Sequence, residues 1–123
     1  MENNCIQQET NSIDYDYEND SLFFFTRGTS YRESFDLDNI IIDFDENNHI
    51  KGVEIPDASE RFGISKDAVK PENTEINLKI SEKKIKLRIS MTLQKKNKEI
   101  PRVISVTERN ITNIPPETMV MSV

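Results

Sequence analysis

Apolar and polar residues alternate with a period of two along much of the chain, the pattern of strands that bury one face. The cleanest run is Ile76, Leu78 and Ile80, then Ile85, Leu87, Ile89, Met91 and Leu93. A connection centred on Glu82-Lys83 pairs Ile80 with Ile85, Leu78 with Leu87 and Ile76 with Ile89, which places every apolar side chain on one face. The other face then sets Lys79 opposite Lys86 and Asn77 opposite Arg88, with Lys84 close by. Like charges so placed cost up to about 1 kcal/mol each, a cost that an anionic surface lying against them would offset. Lys95-Lys96-Asn97-Lys98 reads as a turn, and residues 102–107 as a further strand.

In the amino-terminal half, Leu22, Phe23, Phe24 and Phe25 make both faces of one strand apolar, so it is either covered on both sides or presented to a partner. Phe35 and Leu37 alternate with Ser34, Asp36 and Asp38 as a short half-buried strand. A hairpin follows, because residues 40–44 and 50–55 flank Asn47-Asn48, which tolerate the positive φ of a type I′ turn. Pairing Ile40 with Ile55, Ile42 with Val53 and Phe44 with Lys51 gives a core face of Ile40, Ile42, Phe44, Val53 and Ile55. The opposite face carries Ile41, Asp43, Asp45, Ile50, Gly52 and Glu54. Pro56 stops the strand, and Asp57-Ala58-Ser59-Glu60 has capping-box spacing for one short helix near residues 57–62, ended by Gly63. Residues 114–121 are apolar enough to dock, but Pro115 and Pro116 deny them a regular ladder start.

With only two Ala and Ile the commonest residue, composition favours strands over helices. The expectation is a mostly β fold, an antiparallel sheet of six to eight short strands with that one helix. Residues 1–12 are polar and read as a flexible lead-in. Residues 13–63 read as an acidic β module and 64–123 as a basic hairpin extension packed on it as one domain. The 123 residues carry a net charge of −6, divided as −11 before residue 64 and +5 after it. Either the halves neutralise each other, favoured because an internal partner sits at high effective concentration, or one pole meets another molecule.

Two blocks bring a family into view: Tyr15-Asp16-x-Glu18-x-Asp20-x-Leu22-Phe23, and Asp43-x-Asp45-Glu46-x-x-x-Ile50-x-Gly52-Val53-Glu54-Ile55-x-x-Ala58-Ser59. On these, residues 15–59 resemble a prokaryotic family known as domain of unknown function 2283. Phe23 stands where Tyr is usual, and Asn48 where the turn Gly is. The resemblance implies a compact antiparallel β module with a short helix after Ala58-Ser59 and supplies no established activity. It also suggests an acidic, antitoxin-like partner of a small basic protein. Residues 64–123 lie outside this resemblance and are not recognised.

Candidate chemistry is sparse. Asp43-x-Asp45-x-Asn47-x-His49-x-x-x-x-Glu54 meets much of a calcium-loop spacing, but its flanks are strands where an EF-hand needs helices, so no metal is expected. Asp16, Glu18 and Asp20 alternate as a solvated charged turn beside the Phe run, and the single His49 lacks a neighbouring nucleophile. The chain is therefore read as a non-catalytic interaction module without cofactor, a captor of a protein partner or a self-associating subunit. The contacts would be Asp43, Asp45, Glu54, Leu22, Phe23 and Phe25. The alternative is a nucleic-acid binder using the basic hairpin of residues 79–102 through Lys79, Lys84, Lys86 and Arg88, a surface without aromatics for stacking on bases. The acidic opening lacks a secretion signal, no apolar stretch approaches a membrane span, and the single Cys5 forms no disulfide framework, so the chain reads as cytoplasmic.

Overall fold

The computed structural model describes residues 5–10, 12–111 and 113–123. Its elements are β1 (Cys5–Glu9), β2 (Ser12–Asp16), β3 (Ser21–Phe25), β4 (Tyr31–Leu37), β5 (Ile40–Asp45), β6 (Ile50–Ile55), α1 (Ala58–Phe62), a 3-10 turn (Lys66–Ala68), β7 (Glu72–Ile80), β8 (Lys84–Lys95), β9 (Lys98–Arg109) and β10 (Glu117–Ser122). The fold is mostly β, as the alternation predicts, with one short helix among the described residues, whose ten strands exceed the six to eight expected. No helix among the described residues is long and apolar enough to cross a membrane.

The strands form two five-stranded sheets, the first in order β2-β3-β6-β5-β4 and the second in order β1-β10-β7-β8-β9. Every pairing is antiparallel except that of β1 with β10. The inner faces meet in one cluster, in which Leu22, Phe24, Ile40, Ile42 and Ile55 of the first sheet join Ile76, Leu78, Leu87, Ile89, Leu93 and Met119 of the second. Two amphipathic sheets bury their apolar sides against each other in this way because neither can hide that side alone. The β7–β8 register is the one read from the sequence, with Ile80 opposite Ile85, Leu78 opposite Leu87 and Ile76 opposite Ile89.

Three details depart from expectation. First, the lead-in contains a strand: residues 5–9 run parallel to β10, with Cys5 opposite Thr118 and Ile6 opposite Met119. An edge strand needs few apolar side chains, and Gln8 does inside what an apolar residue cannot. Its Nε2 donates to the Ile50 carbonyl at 2.9 Å and its Oε1 accepts from the Ile50 N–H at 3.1 Å, tying the second sheet to the first.

Second, the β5–β6 hairpin keeps Ile42 opposite Val53 but shifts register between Asp43 and Phe44, so Phe44 faces Ile50 instead of Lys51. This bulge turns Ile50 into the core, where it is fully buried, and leaves its backbone groups for Gln8. Lys51, the extra residue, donates Nζ to the Thr29 carbonyl at 2.7 Å.

Third, Asp57 makes no side-chain cap bond to α1. Asp20, distant in sequence and buried, takes that role: its carboxylate accepts from the Ser59 N–H at 3.0 Å and the Ser59 hydroxyl at 2.6 Å. The Tyr15 hydroxyl donates to the same carboxylate. At the other end of the helix, Arg102 of β9 donates Nε to the Phe62 carbonyl at 2.8 Å. A five-residue helix is too short to hold itself, and here one end is held by the β2–β3 turn and the other by β9.

Among the described residues no ion pair joins the two halves. The ion pairs among the described residues are Arg32–Glu33 at 3.0 Å and Arg61–Asp38 at 3.1 Å, both within residues 1–63. With the core between the sheets, their outer faces look in opposite directions, and the charge division of the sequence becomes a division between two sides of the molecule.

Candidate functional site

The outer face of the first sheet follows from strand register. Residues directly opposite share a face, so one row across the sheet reads Asp14, Phe23, Glu54, Ile41, Asp36, and the next reads Ser12, Phe25, Gly52, Asp43, Ser34. Phe23, Phe25 and Ile41 are half-buried here, and carboxylates stand around them. Arg27 lies over the Phe25 ring, its guanidinium carbon 5.6 Å from the ring centroid, as a cation–π contact. Gly52 keeps the middle of the face low: a Cβ there would meet Asp43 Oδ2 at 3.3 Å and the Phe24 carbonyl oxygen at 3.4 Å. Asp43 also accepts from the Ser34 hydroxyl. The result is an open apolar strip bordered by Asp14, Asp36, Asp43 and Glu54.

Of the residues expected to meet a partner, Phe23, Phe25, Asp43 and Glu54 lie together on this face. Leu22 does not: alternation points it inward, and it is fully buried. Asp45 does not either, being only 2% exposed. It is spent on its own turn, accepting from the Asn47 N–H at 2.8 Å and the His49 N–H at 3.0 Å, while Asn48 takes the positive φ of 62°. The same turn dismantles the calcium-loop pattern, since the carboxylate of its third position is bound to backbone. No group of three or more His, Cys, Asp and Glu suited to a metal occurs among the described residues. Sequence reasoning passed over Asp14, Asp36 and Ile41 as site residues, although period-two alternation places all three on the face once the strand order is known.

The motif residues near α1 make a structural network. Burial pushes the Asp20 carboxyl up, but the hydrogen bonds from Ser59 and Tyr15 outweigh it and hold the group below the ordinary Asp range. Burial, with the hydrogen bond to Asp20 and its charge, drives the Tyr15 hydroxyl well above the ordinary tyrosine value. Hydrogen bonds from the side chain and backbone of Asn19 hold Asp16 low. Tyr15, Asp20 and Ser59 thus serve the fold.

The second outer face is basic. The rows read Thr118, Lys79, Lys86, Thr107 and then Val120, Asn77, Arg88, Ser105, with Lys84 opposite Arg109 further along. Lys79, Lys84, Lys86 and Arg88 are exposed, as expected of the hairpin, and no ion pair among the described residues involves them. At one end of the sandwich a cavity of about 230 Å³ opens between Phe35 and Phe44 of the first sheet and Ile80 and Met119 of the second, with Arg32, Glu33 and Glu117 also lining it. None of the residues expected to meet a partner lines it.

Fold and face together define a two-sheet β-sandwich with open, oppositely charged outer faces. Residues 12–59 match the family described as "Protein of unknown function (DUF2283)", and the chain belongs to that family. It is 39% identical over 106 residues to a protein of Methanosarcina mazei that bears the name "Putative hypoxanthine phosphoribosyltransferase", an alignment covering 85% of this chain and 86% of that protein. It is 43% identical over 90 residues to an uncharacterized protein of Methanocaldococcus jannaschii, covering 72% of this chain and 78% of that one. No solved structure matches it. The family match ends near Ser59, and the relatives extend the likeness into the second half of the chain.

Proposed function

We propose that the protein is a non-catalytic interaction module, and that the outer face of its first sheet captures a protein with a basic surface, as an antitoxin-like neutralising partner would. The observation that carries this reading is the apolar strip of Phe23, Phe25 and Ile41 bordered by Asp14, Asp36, Asp43 and Glu54. An apolar centre with a charged rim is the anatomy of a protein interface, and carboxylates around it select a cationic partner and speed its approach. The name of the Methanosarcina relative suggests instead a phosphorylated sugar as substrate. Such an anion is repelled by a face whose rim is carboxylate, so for this face the binding reading is the one the charges favour.

The test is affinity capture on the full chain in parallel with the Asp43→Asn, Glu54→Gln double variant. The expected result is a basic protein retained by the parent chain and lost with the variant, with sensitivity to salt. Equal retention by both would overturn the assignment of this face. A second reading rests on the basic face, where Lys79 opposes Lys86 and Lys84 opposes Arg109 with no carboxylate between them. Phosphates would relieve that repulsion. It predicts that single-stranded RNA or duplex DNA binds the parent chain in 150 mM salt and that Lys86→Glu abolishes the binding.

A further inference from the structure

Strand β9 is the edge of the second sheet and is twelve residues long, paired with β8 without a register shift from Arg109 to Lys98. Its exposed edge can be worked out residue by residue. The Lys96-Asn97 connection has positive φ at both residues, 50° and 63°, so it is a two-residue type I′ turn and the flanking Lys95–Lys98 pair is a hydrogen-bonded one. Alternation then directs the backbone groups of Lys98, Ile100, Arg102, Ile104, Val106 and Glu108 at β8. The next residue in the same series, Asn110, donates its N–H to the Lys83 carbonyl at 2.9 Å, which fixes the phase at the far end. Glu99, Pro101, Val103, Ser105, Thr107 and Arg109 turn their backbone groups outward. Pro101, which has no N–H to give, falls in this outward set, where it costs the sheet no bond.

The free edge is symmetric about Ser105. On one side stand Val103 and Arg102, on the other Thr107 and Glu108, and the run between the charged residues, Val103-Ile104-Ser105-Val106-Thr107, carries no charge. Val103 is 51% exposed, and Ile111, just past the strand, is 82% exposed. A regular edge with an uncharged centre is a template for another strand. We infer that the occupant is a second copy of this chain, its β9 antiparallel to the first about a two-fold axis through Ser105, joining two five-stranded sheets into one of ten.

In that register Ser105 faces its own copy and Val103 faces Thr107, and all three exchange their outward backbone bonds. Ile104 faces Val106 on the inner side, and Arg102 faces Glu108 twice by symmetry, in the closer, non-hydrogen-bonded kind of pair. Pro101 lies at the ends, opposite Arg109. A two-fold axis through Val103 instead would set Pro101 opposite Ser105 and Arg102 opposite Ile104, losing backbone bonds within the pairing and facing charge with an apolar side chain. The surface is separate from the acidic face, which stays open in the dimer, and because residues directly opposite share a side, the basic faces of the two copies join into one.

The experiment is sedimentation equilibrium on the full chain, with cross-linking to read the register. The parent chain is expected to sediment at twice its chain mass, and Ser105→Lys, which sets two like charges face to face at an exposed position, to weaken association at least about tenfold with an unchanged circular dichroism spectrum. In a Cys5→Ser background, Ser105→Cys is expected to form a covalent dimer on mild oxidation, since hydrogen-bonded partners stand within disulfide reach. Thr107→Cys, which faces Val103, is expected not to. A parent chain that stays monomeric at tens of micromolar, a dimer indifferent to Ser105→Lys, or equal oxidation of the two cysteine variants each overturns the proposal.

Discussion

The two sheets reach similar packing by different means. The second takes its order from alternation in its β7–β8 hairpin: from Ile76 to Leu93 the inner residues are Ile, Leu and Met, the outer residues are charged or polar, and the register follows from counting. The first spends polar side chains on its architecture. Asp20 caps α1 from a distance, Asp45 shapes the β5–β6 turn, and Gly52 makes room for Asp43. A sheet held by apolar alternation tolerates changes on its outer face, whereas one held by buried carboxylates is sensitive at a few polar points and to acid.

Asp20→Ala is the most direct attack on that difference. It leaves the Ser59 N–H, the Ser59 hydroxyl and the Tyr15 hydroxyl without their acceptor, and the expected loss is about 3 kcal/mol, read as a lower urea midpoint with an unchanged slope. Because the folded Asp20 carboxyl titrates below its ordinary value, the stability it contributes is complete above the unfolded value of about 4. That contribution is lost as pH falls through the folded one. Amide protection factors in β2, β3 and α1 should therefore fall on acidification before those in β7 and β8, and Asp20→Asn should flatten this dependence. If both sheets lost protection together, the contrast between them would fail.

Asp45→Ala removes the acceptor for two turn N–H groups and is expected to cost about 1–2 kcal/mol, with chemical-shift changes confined to the β5–β6 turn. Arg102→Ala, which frees the Phe62 carbonyl at the end of α1, sharpens the comparison by probing where the second sheet supports the first, at about 1 kcal/mol. The smallest effect is expected at Lys86→Glu. It replaces a like-charge pair with Lys79 by an opposite-charge one, so the second sheet should gain about 0.2–1 kcal/mol in thermal unfolding at low salt, fading as salt is added.

The same contrast decides what could be read from residues alone. The β7–β8 pairing was legible because every apolar residue there obeys the period of two. Half of the β5–β6 register was legible, through Ile42 and Val53. The rest was lost because a bulge is a local backbone event that leaves no mark on composition, and it carried Ile50 from the expected outer face into the core. The strand at residues 5–9 was hidden by its polar side chains, which an edge position permits. The cap on α1 was hidden because Asp57 sits at the right spacing while the working carboxylate comes from Asp20. Of the residues expected to meet a partner, Phe23, Phe25, Asp43 and Glu54 share the outer face; Leu22 turns inward because the phase of β3 depends on its neighbours, and Asp45 is claimed by its turn.

The pairing of β1 with β10 has a consequence for biosynthesis. Strands β2 to β6 find their partners among close neighbours in the chain and can assemble while the ribosome is still at work. Cys5, by contrast, must wait for Thr118. A strand translated before β2 to β10 is thus among the last to be placed, and a chain stalled before residue 117 would carry an orphan strand and an open flank on its second sheet.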